Sequence, residues 1–122
     1  MDEILVTSTK ISPSQLKTQC EQFFTDMVKL VIDVEKEVIA IGGELHADAE
    51  NLLLERGSNQ KDLWGANFYP WNPPEERISF TALINIRPHQ DNPSLEILDL
   101  IVKGKVKAII ENLVLSPNET LV

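Results

Sequence analysis

Two β-branched runs, Val28–Val34 and Val38–Ile41, flank the short charged segment Glu35-Lys36-Glu37. Branching at Cβ favours extended backbone, and a brief polar break between two such runs predicts a β-hairpin. A hairpin commits its sheet to antiparallel pairing. The break lacks Gly or Asn, so local chemistry does not dictate its turn type. Gly42-Gly43 closes the second run.

The rest of the chain is read around that hairpin. Ile4–Thr7 is a short apolar run, suited to a first or edge strand. Ser12-Pro13-Ser14-Gln15 reads as a helix start, with Ser12 as cap, Pro13 at the first helical position and Gln15 completing a capping box. Leu16, Cys20, Phe23, Phe24 and Met27 then form one stripe of helical period, and Cys20 within it is expected to pack in the core. A second helix is expected over about Ala47–Arg56, burying Ala49, Leu52 and Leu53 and stopping at Gly57. Leu63–Tyr69 reads as a strand, followed by the stiff Pro70-Trp71-Asn72-Pro73-Pro74 connection. Ile78–Arg87 alternates cleanly and predicts a long strand, with Ile78, Phe80, Ala82, Ile84 and Ile86 on one face. The last helix is expected over Asp99–Val114, with Ile101, Val102, Val106, Ile109, Ile110 and Leu113 buried and Gly104 interrupting it.

The predicted order is β-α-β-β-α-β-β-α. It implies an α+β protein: a two-layer α/β sandwich with a mainly antiparallel or mixed sheet and its helices on one face. Alternating rather than wholly apolar strands argue against a doubly wound parallel sheet. A length of 122 residues suits a single domain spanning 1–122, with loose ends expected at about 1–3 and 116–122.

Nineteen acidic residues against 11 basic ones leave a formal charge of −8. This disfavours nucleic acid and anionic membrane surfaces, both of which are held by basic residues. Lys103, Lys105 and Lys107 are spaced to spread over more than one side of a helix. No run of 18 apolar residues predicts a transmembrane helix, and MDEILVTSTK does not read as a signal peptide. The lone Cys20 fits a reducing compartment, so a cytoplasmic protein is expected.

Dinucleotide loops, phosphate loops, zincin helices and cysteine-rich zinc patterns are absent from the sequence. The chemistry that remains is a set of polar residues near strand ends. His46 sits with Glu44 and Asp48 at a strand-to-helix junction, and His89 follows the long strand. Asn67 and Tyr69 share one face of their strand, and Asn85 and Arg87 share a face of theirs. Three roles compete for this cluster. It is a structural network in which Arg87 pairs with Glu44 or Asp48. It is a pocket for a small anionic ligand, with Arg87 as a two-pronged grip, Asn67 and Asn85 orienting the ligand, and Trp64, Tyr69 or Trp71 as apolar wall. Or it is a hydrolase-type site in which His46 is the general base, oriented by Glu44 or Asp48. A metal-assisted version would bind an ion through His46 with Glu44, Asp48 or His89, although no ligand spacing specifies one.

The blocks AIGGELHAD (Ala40–Asp48), DLWGANFYP (Asp62–Pro70) and INIRP (Ile84–Pro88) resemble a family of small, uncharacterised prokaryotic proteins known as a domain of unknown function. The resemblance runs over roughly Ile4–Leu113. It implies a single-domain cytoplasmic protein and carries no activity, substrate, cofactor or catalytic role onto any residue. His89 falls in His89-Gln90-Asp91-Asn92, outside those blocks. Self-association as a homodimer is the non-enzymatic expectation, with Trp71 in its proline-bracketed loop as the candidate knob.

Overall fold

A computed structural model describes residues 4–122. The predicted looseness of residues 1–3 lies outside them. The elements are β1 (Leu5–Thr7), α1 (Pro13–Phe23), β2 (Val28–Asp33), β3 (Val38–Ile41), α2 (His46–Glu55), β4 (Leu63–Phe68), β5 (Ile78–Ser79) and α3 (Leu100–Leu113). They follow the predicted order, and every strand pairing is antiparallel. The five strands lie side by side as β1-β3-β2-β4-β5 in one open sheet, so the protein is α+β.

The β2–β3 hairpin forms with Leu30 opposite Ile41 and Asp33 opposite Val38. Its turn is set by a side chain. Asp33, fully buried, accepts from the backbone N–H groups of Glu35 (3.0 Å) and Lys36 (2.9 Å), and its second oxygen accepts from the Ser58 hydroxyl at 2.6 Å. Glu37 then takes a left-handed conformation, φ 55°, in place of the missing Gly or Asn.

Alternation divides each central strand between two cores. Val28, Leu30 and Ile32 of β2, Ile39 and Ile41 of β3, and Trp64, Ala66 and Phe68 of β4 face Leu16 and Cys20 of α1 and Val106, Ile109 and Ile110 of α3. Val31, Ala40 and Leu63 point the other way, onto Ala49 and Leu53 of α2. The helices therefore cover both faces, not the single face expected. The reason is that β2 and β3 are apolar on both sides, and each side needs cover.

α1 starts at the predicted Ser12 capping box, in which Gln15 N–H donates to the Ser12 hydroxyl and the Gln15 side chain accepts from Ser12 N–H. Cys20 is buried as expected. Burial, with Asp26 and Glu21 nearby, pushes its thiol up to about 12, so it stays protonated. Phe23, assigned to the same stripe, is exposed at the end of the helix.

One expectation fails outright. The long strand Ile78–Arg87 stops after Ser79, leaving only isolated bridges at Thr81–Glu96 and Arg87–Asn92 and 3-10 turns at Leu83–Asn85 and Pro88–Gln90. Its alternating residues serve different cores: Ile78 and Phe80 pack on the α1–α3 side, and Ile84 packs on the α2 side. The chain thus passes around the edge of β4 onto the opposite face. Residues 116–122, expected to be loose, form no helix or strand but are pinned. Arg77 donates to the carbonyls of Ser116 (3.1 Å) and Glu119 (2.8 Å), Lys10 pairs with Glu119, and Leu121 is buried in the larger core.

α3 is capped by Asp99, whose carboxylate accepts from Ile101 and Val102 N–H. Ile101, assigned to the buried side, is 72% exposed, and the packing of α3 on the larger core begins at Val102. Gly104 faces open space, with nothing within 4 Å of where a Cβ would stand. Gly104→Ala should therefore raise unfolding free energy by about 1 kcal/mol in urea titration. A destabilised variant would show that the glycine serves a contact or bend.

Candidate functional site

On the α2 face, the peptide groups of β4 beyond its short pairing with β5 need partners. At Gly65 they are met by a side chain. Asn85 Oδ1 accepts from Gly65 N–H (2.8 Å) and its Nδ2 donates to Gly65 C=O (3.0 Å), so one amide takes the place of a strand residue. The approach requires glycine. A Cβ at position 65 would stand 2.6 Å from Ala82 Cβ, 3.1 Å from Ile84 Cγ1 and 3.2 Å from His46 Cδ2. Asn85 is fully buried.

Arg87 holds the same segment from behind. Its Nε donates to Ile84 C=O (2.9 Å), one terminal nitrogen to Gln60 C=O (2.8 Å), and the other to Leu63 C=O, with Glu50 Oε2 at 3.5 Å. The guanidinium also lies 4.7 Å from the centre of the Trp64 ring. Arg87 is 3% exposed. Burial works against its charge and draws its pKa down, while the Glu50 carboxylate opposes that pull. Every nitrogen of the group is engaged within the protein, so Arg87 has no free fork for an anion. Its carboxylate partner is Glu50 rather than Glu44 or Asp48, both of which are exposed. Glu50 follows His46 by one helical turn, and that i, i+4 spacing on the buried side of α2 was the available signal for it.

Asn92, read only as part of a polar loop, completes the brace. Its Nδ2 donates to the carbonyls of Asn85 (2.8 Å), Glu96 (3.0 Å) and Ser94 (3.1 Å), and its Oδ1 accepts from Leu98 N–H at 2.9 Å. Nothing in its local sequence distinguishes it from its neighbours.

In front of this brace lies a half-open cavity of about 390 Å³. Its walls are apolar: Met27, Leu45, Ala82, Leu83, Ile84 and Leu95. Its polar lining is Lys29, His46, Asn67 and Thr81. Lys29 and Asn67 are directly opposed on β2 and β4, and His46 arrives from the first turn of α2. His46 Nε2 lies 2.8 Å from Ala66 C=O. A carbonyl can only accept, so in the neutral ring Nε2 carries the proton and Nδ1 is the acceptor. Burial holds the His46 pKa below 6.5 and the positive charge of Lys29 acts in the same direction, while the Ala66 carbonyl and the nearby Asn67 side chain favour the protonated ring and oppose them. Asn67 Nδ2 donates to Thr81 C=O (3.3 Å), which orients the amide and leaves its buried Oδ1 without a hydrogen-bond partner.

The predicted cluster is therefore split. His46 and Asn67 line the cavity, while Asn85 and Arg87 stand behind its wall. Glu44 and Asp48 make no side-chain hydrogen bond to His46. Tyr69 lies beyond the end of β4 and does not line the cavity, and His89 is exposed on the Pro88–Gln90 turn. Among the described residues no three His, Cys, Asp or Glu side chains are grouped to hold a metal ion.

A family profile described as a protein of unknown function, DUF5674, matches residues 5–113. The chain belongs to that family. The match takes in every strand and α-helix of the described residues, the brace and the cavity. No curated protein and no solved structure matches the chain. Among the described residues no helix is long and apolar enough to cross a membrane.

Two outcomes follow from the geometry. An ammonium cannot span the acceptors that Arg87 reaches, so Arg87→Lys should lower unfolding free energy by about 2–4 kcal/mol in denaturant titration. A loss below about 1 kcal/mol would mean that the brace is dispensable. For His46, the unfolded ring takes up its proton near the ordinary value, whereas the folded ring resists until lower pH. The stability tied to neutral His46 is complete above that ordinary value and declines as pH falls below it. Lowering the pH from about 7.5 to about 5.5 should therefore depress the melting temperature of the wild type more than that of His46→Gln. Equal depressions would show that His46 titrates alike in both states.

Proposed function

We propose that this protein binds a small molecule in the cavity over β2 and β4, and that the Arg87–Glu50–Asn85–Asn92 network is structural, holding the cavity wall in place. The observation that carries this reading is the buried Asn67 Oδ1 without a partner, beside His46, in an otherwise largely apolar hollow. An unsatisfied buried acceptor costs about 1–3 kcal/mol, and a bound donor would recover it. The volume lies at the small end of the range typical of ligand sites, about 300–1,000 Å³. It suits a molecule smaller than a nucleotide cofactor.

A structural role for Arg87 and Asn85 is supported by their engagement with carbonyl and peptide groups of the protein itself. A binding role is better supported than a hydrolytic one, because His46 meets the cavity without an orienting carboxylate. The lone, buried thiol of Cys20 is in keeping with a reducing, cytoplasmic setting.

The reading is tested by protein NMR with three small probes: 4-methylpentanoate, 4-methylpentanamide and 4-methylpentan-1-ol. At least one should shift the amide resonances of Leu45–Ala47, Asn67 and Thr81–Ile84 together, with saturation. Ala47→Trp, which places a ring at the exposed rim, should abolish those shifts without loss of fold. If no probe moves these resonances in the folded wild type, the cavity is not a ligand site.

A further inference from the structure

The charge lining the cavity identifies what it would take. In a chain of net charge −8, the charged side chain among the lining residues is a lysine, and no aspartate or glutamate accompanies it. Lys29 is half-buried, makes no salt bridge among the described residues, and has its ammonium 5.2 Å from the centre of the Phe24 ring. An aromatic face positions a cation without neutralising it as a carboxylate would. Across the sheet from Lys29 stands Asn67, with its unpartnered acceptor oxygen.

On the reading that the cavity binds a small molecule, we infer that its ligand is an apolar carboxylic acid that carries a neutral O–H or N–H donor close to the carboxylate. The carboxylate sits against Lys29, the donor meets Asn67 Oδ1, and the aliphatic or aromatic body rests on Leu45, Leu83, Ile84 and Leu95. A 2-hydroxy acid or an N-acyl amino acid has this pattern. A free amino acid does not, because its ammonium would enter a cavity whose lining charge is already positive and holds no carboxylate to receive it.

The complementarity is spatial as well as chemical. Lys29 and Asn67 are cross-strand partners, whose Cβ atoms stand about 4.5–5.5 Å apart on one face. Both side chains therefore rise from one face of the sheet, where a single small ligand can meet both. His46 adds no competing charge while its ring is unprotonated. The walls then determine the remainder by excluding water from the apolar body.

The test is isothermal titration of the intact chain with 2-hydroxy-4-methylpentanoate, 4-methylpentanoate and the neutral 2-hydroxy-4-methylpentanamide. The hydroxy acid should bind about tenfold more tightly than its amide, the ratio expected for a hydrogen bond to a charged group. It should also bind more tightly than the acid lacking the hydroxyl. Lys29→Gln should erase the preference over the amide while the amide still binds, which shows that the variant is folded and its cavity intact. Lys29→Arg should keep that preference. Asn67→Leu should erase the advantage of the hydroxyl alone. If the amide binds the wild type as tightly as the acid, or if Lys29→Gln retains the preference, the carboxylate assignment is overturned although the cavity remains a binding site. If none of the three binds, both this inference and the small-molecule reading fall.

Discussion

The pairing of the Asn85 amide with the peptide groups of Gly65 is the contact on which the α2 face depends. A side-chain amide has one donor and one acceptor in nearly the spacing of a peptide, so it can close a strand edge without being a strand. Because it does so, the chain after Ser79 is free to leave the sheet, turn around the edge of β4 and lie across the other face. Gly65 makes the crossing sterically possible, since any Cβ there would collide with Ala82. The cavity exists because a segment that would otherwise have been a fifth long strand stands away from the sheet as a wall.

A wall made of loop has to be held. Three buried polar side chains do this, each satisfied by several backbone groups: Asn85 at Gly65, Asn92 across the 92–98 turn, and Arg87 over the carbonyls of residues 60, 63 and 84. Glu50 supplies the countercharge from α2. Buried charges and amides of this kind contribute less to net stability than to a unique arrangement, because any alternative would leave several of them unpaired. The positions of Thr81, Ala82, Leu83 and Ile84 around the cavity are therefore consequences of polar groups that never touch its interior. The polar residues at the cavity itself are a different set with a different character: Lys29 without a carboxylate, Asn67 with an unused oxygen, and His46 kept neutral by its surroundings.

Regular elements were largely legible in the residues. The hairpin, the capping box at Ser12, the glycine stop at Gly57 and the α1 and α3 faces follow from local rules, and the observed boundaries differ by a residue or two. The stretch Ile78–Arg87 was the exception, although its alternation was the cleanest in the chain. Alternation reports that every second residue is buried. It does not report that the burying surfaces are the same, and here Phe80 and Ile84 enter different cores. The same limit applies to the polar residues. His46, Asn67, Asn85 and Arg87 were recognised as one constellation, yet which faced a cavity and which a set of carbonyls depended on where the crossing segment came to rest. Glu50 and Asn92 went unread because their partners are backbone atoms or a side chain distant in sequence.

What the sequence alone determined is the α+β class, the antiparallel hairpin at its centre, the element order and the family to which the chain belongs. These rest on interactions within a few residues: β-branching, helical periodicity, capping and turn chemistry. Only the tertiary structure decided that helices cover both faces, that the fifth strand is cut short, and that the polar cluster is divided into a brace and a cavity lining. The last two of those outcomes turn on contacts between residues some twenty positions or more apart, Gly65 with Asn85 and Glu50 with Arg87. Such contacts are selected by packing and by the need to satisfy buried polar groups, and neither leaves a periodic trace in the chain.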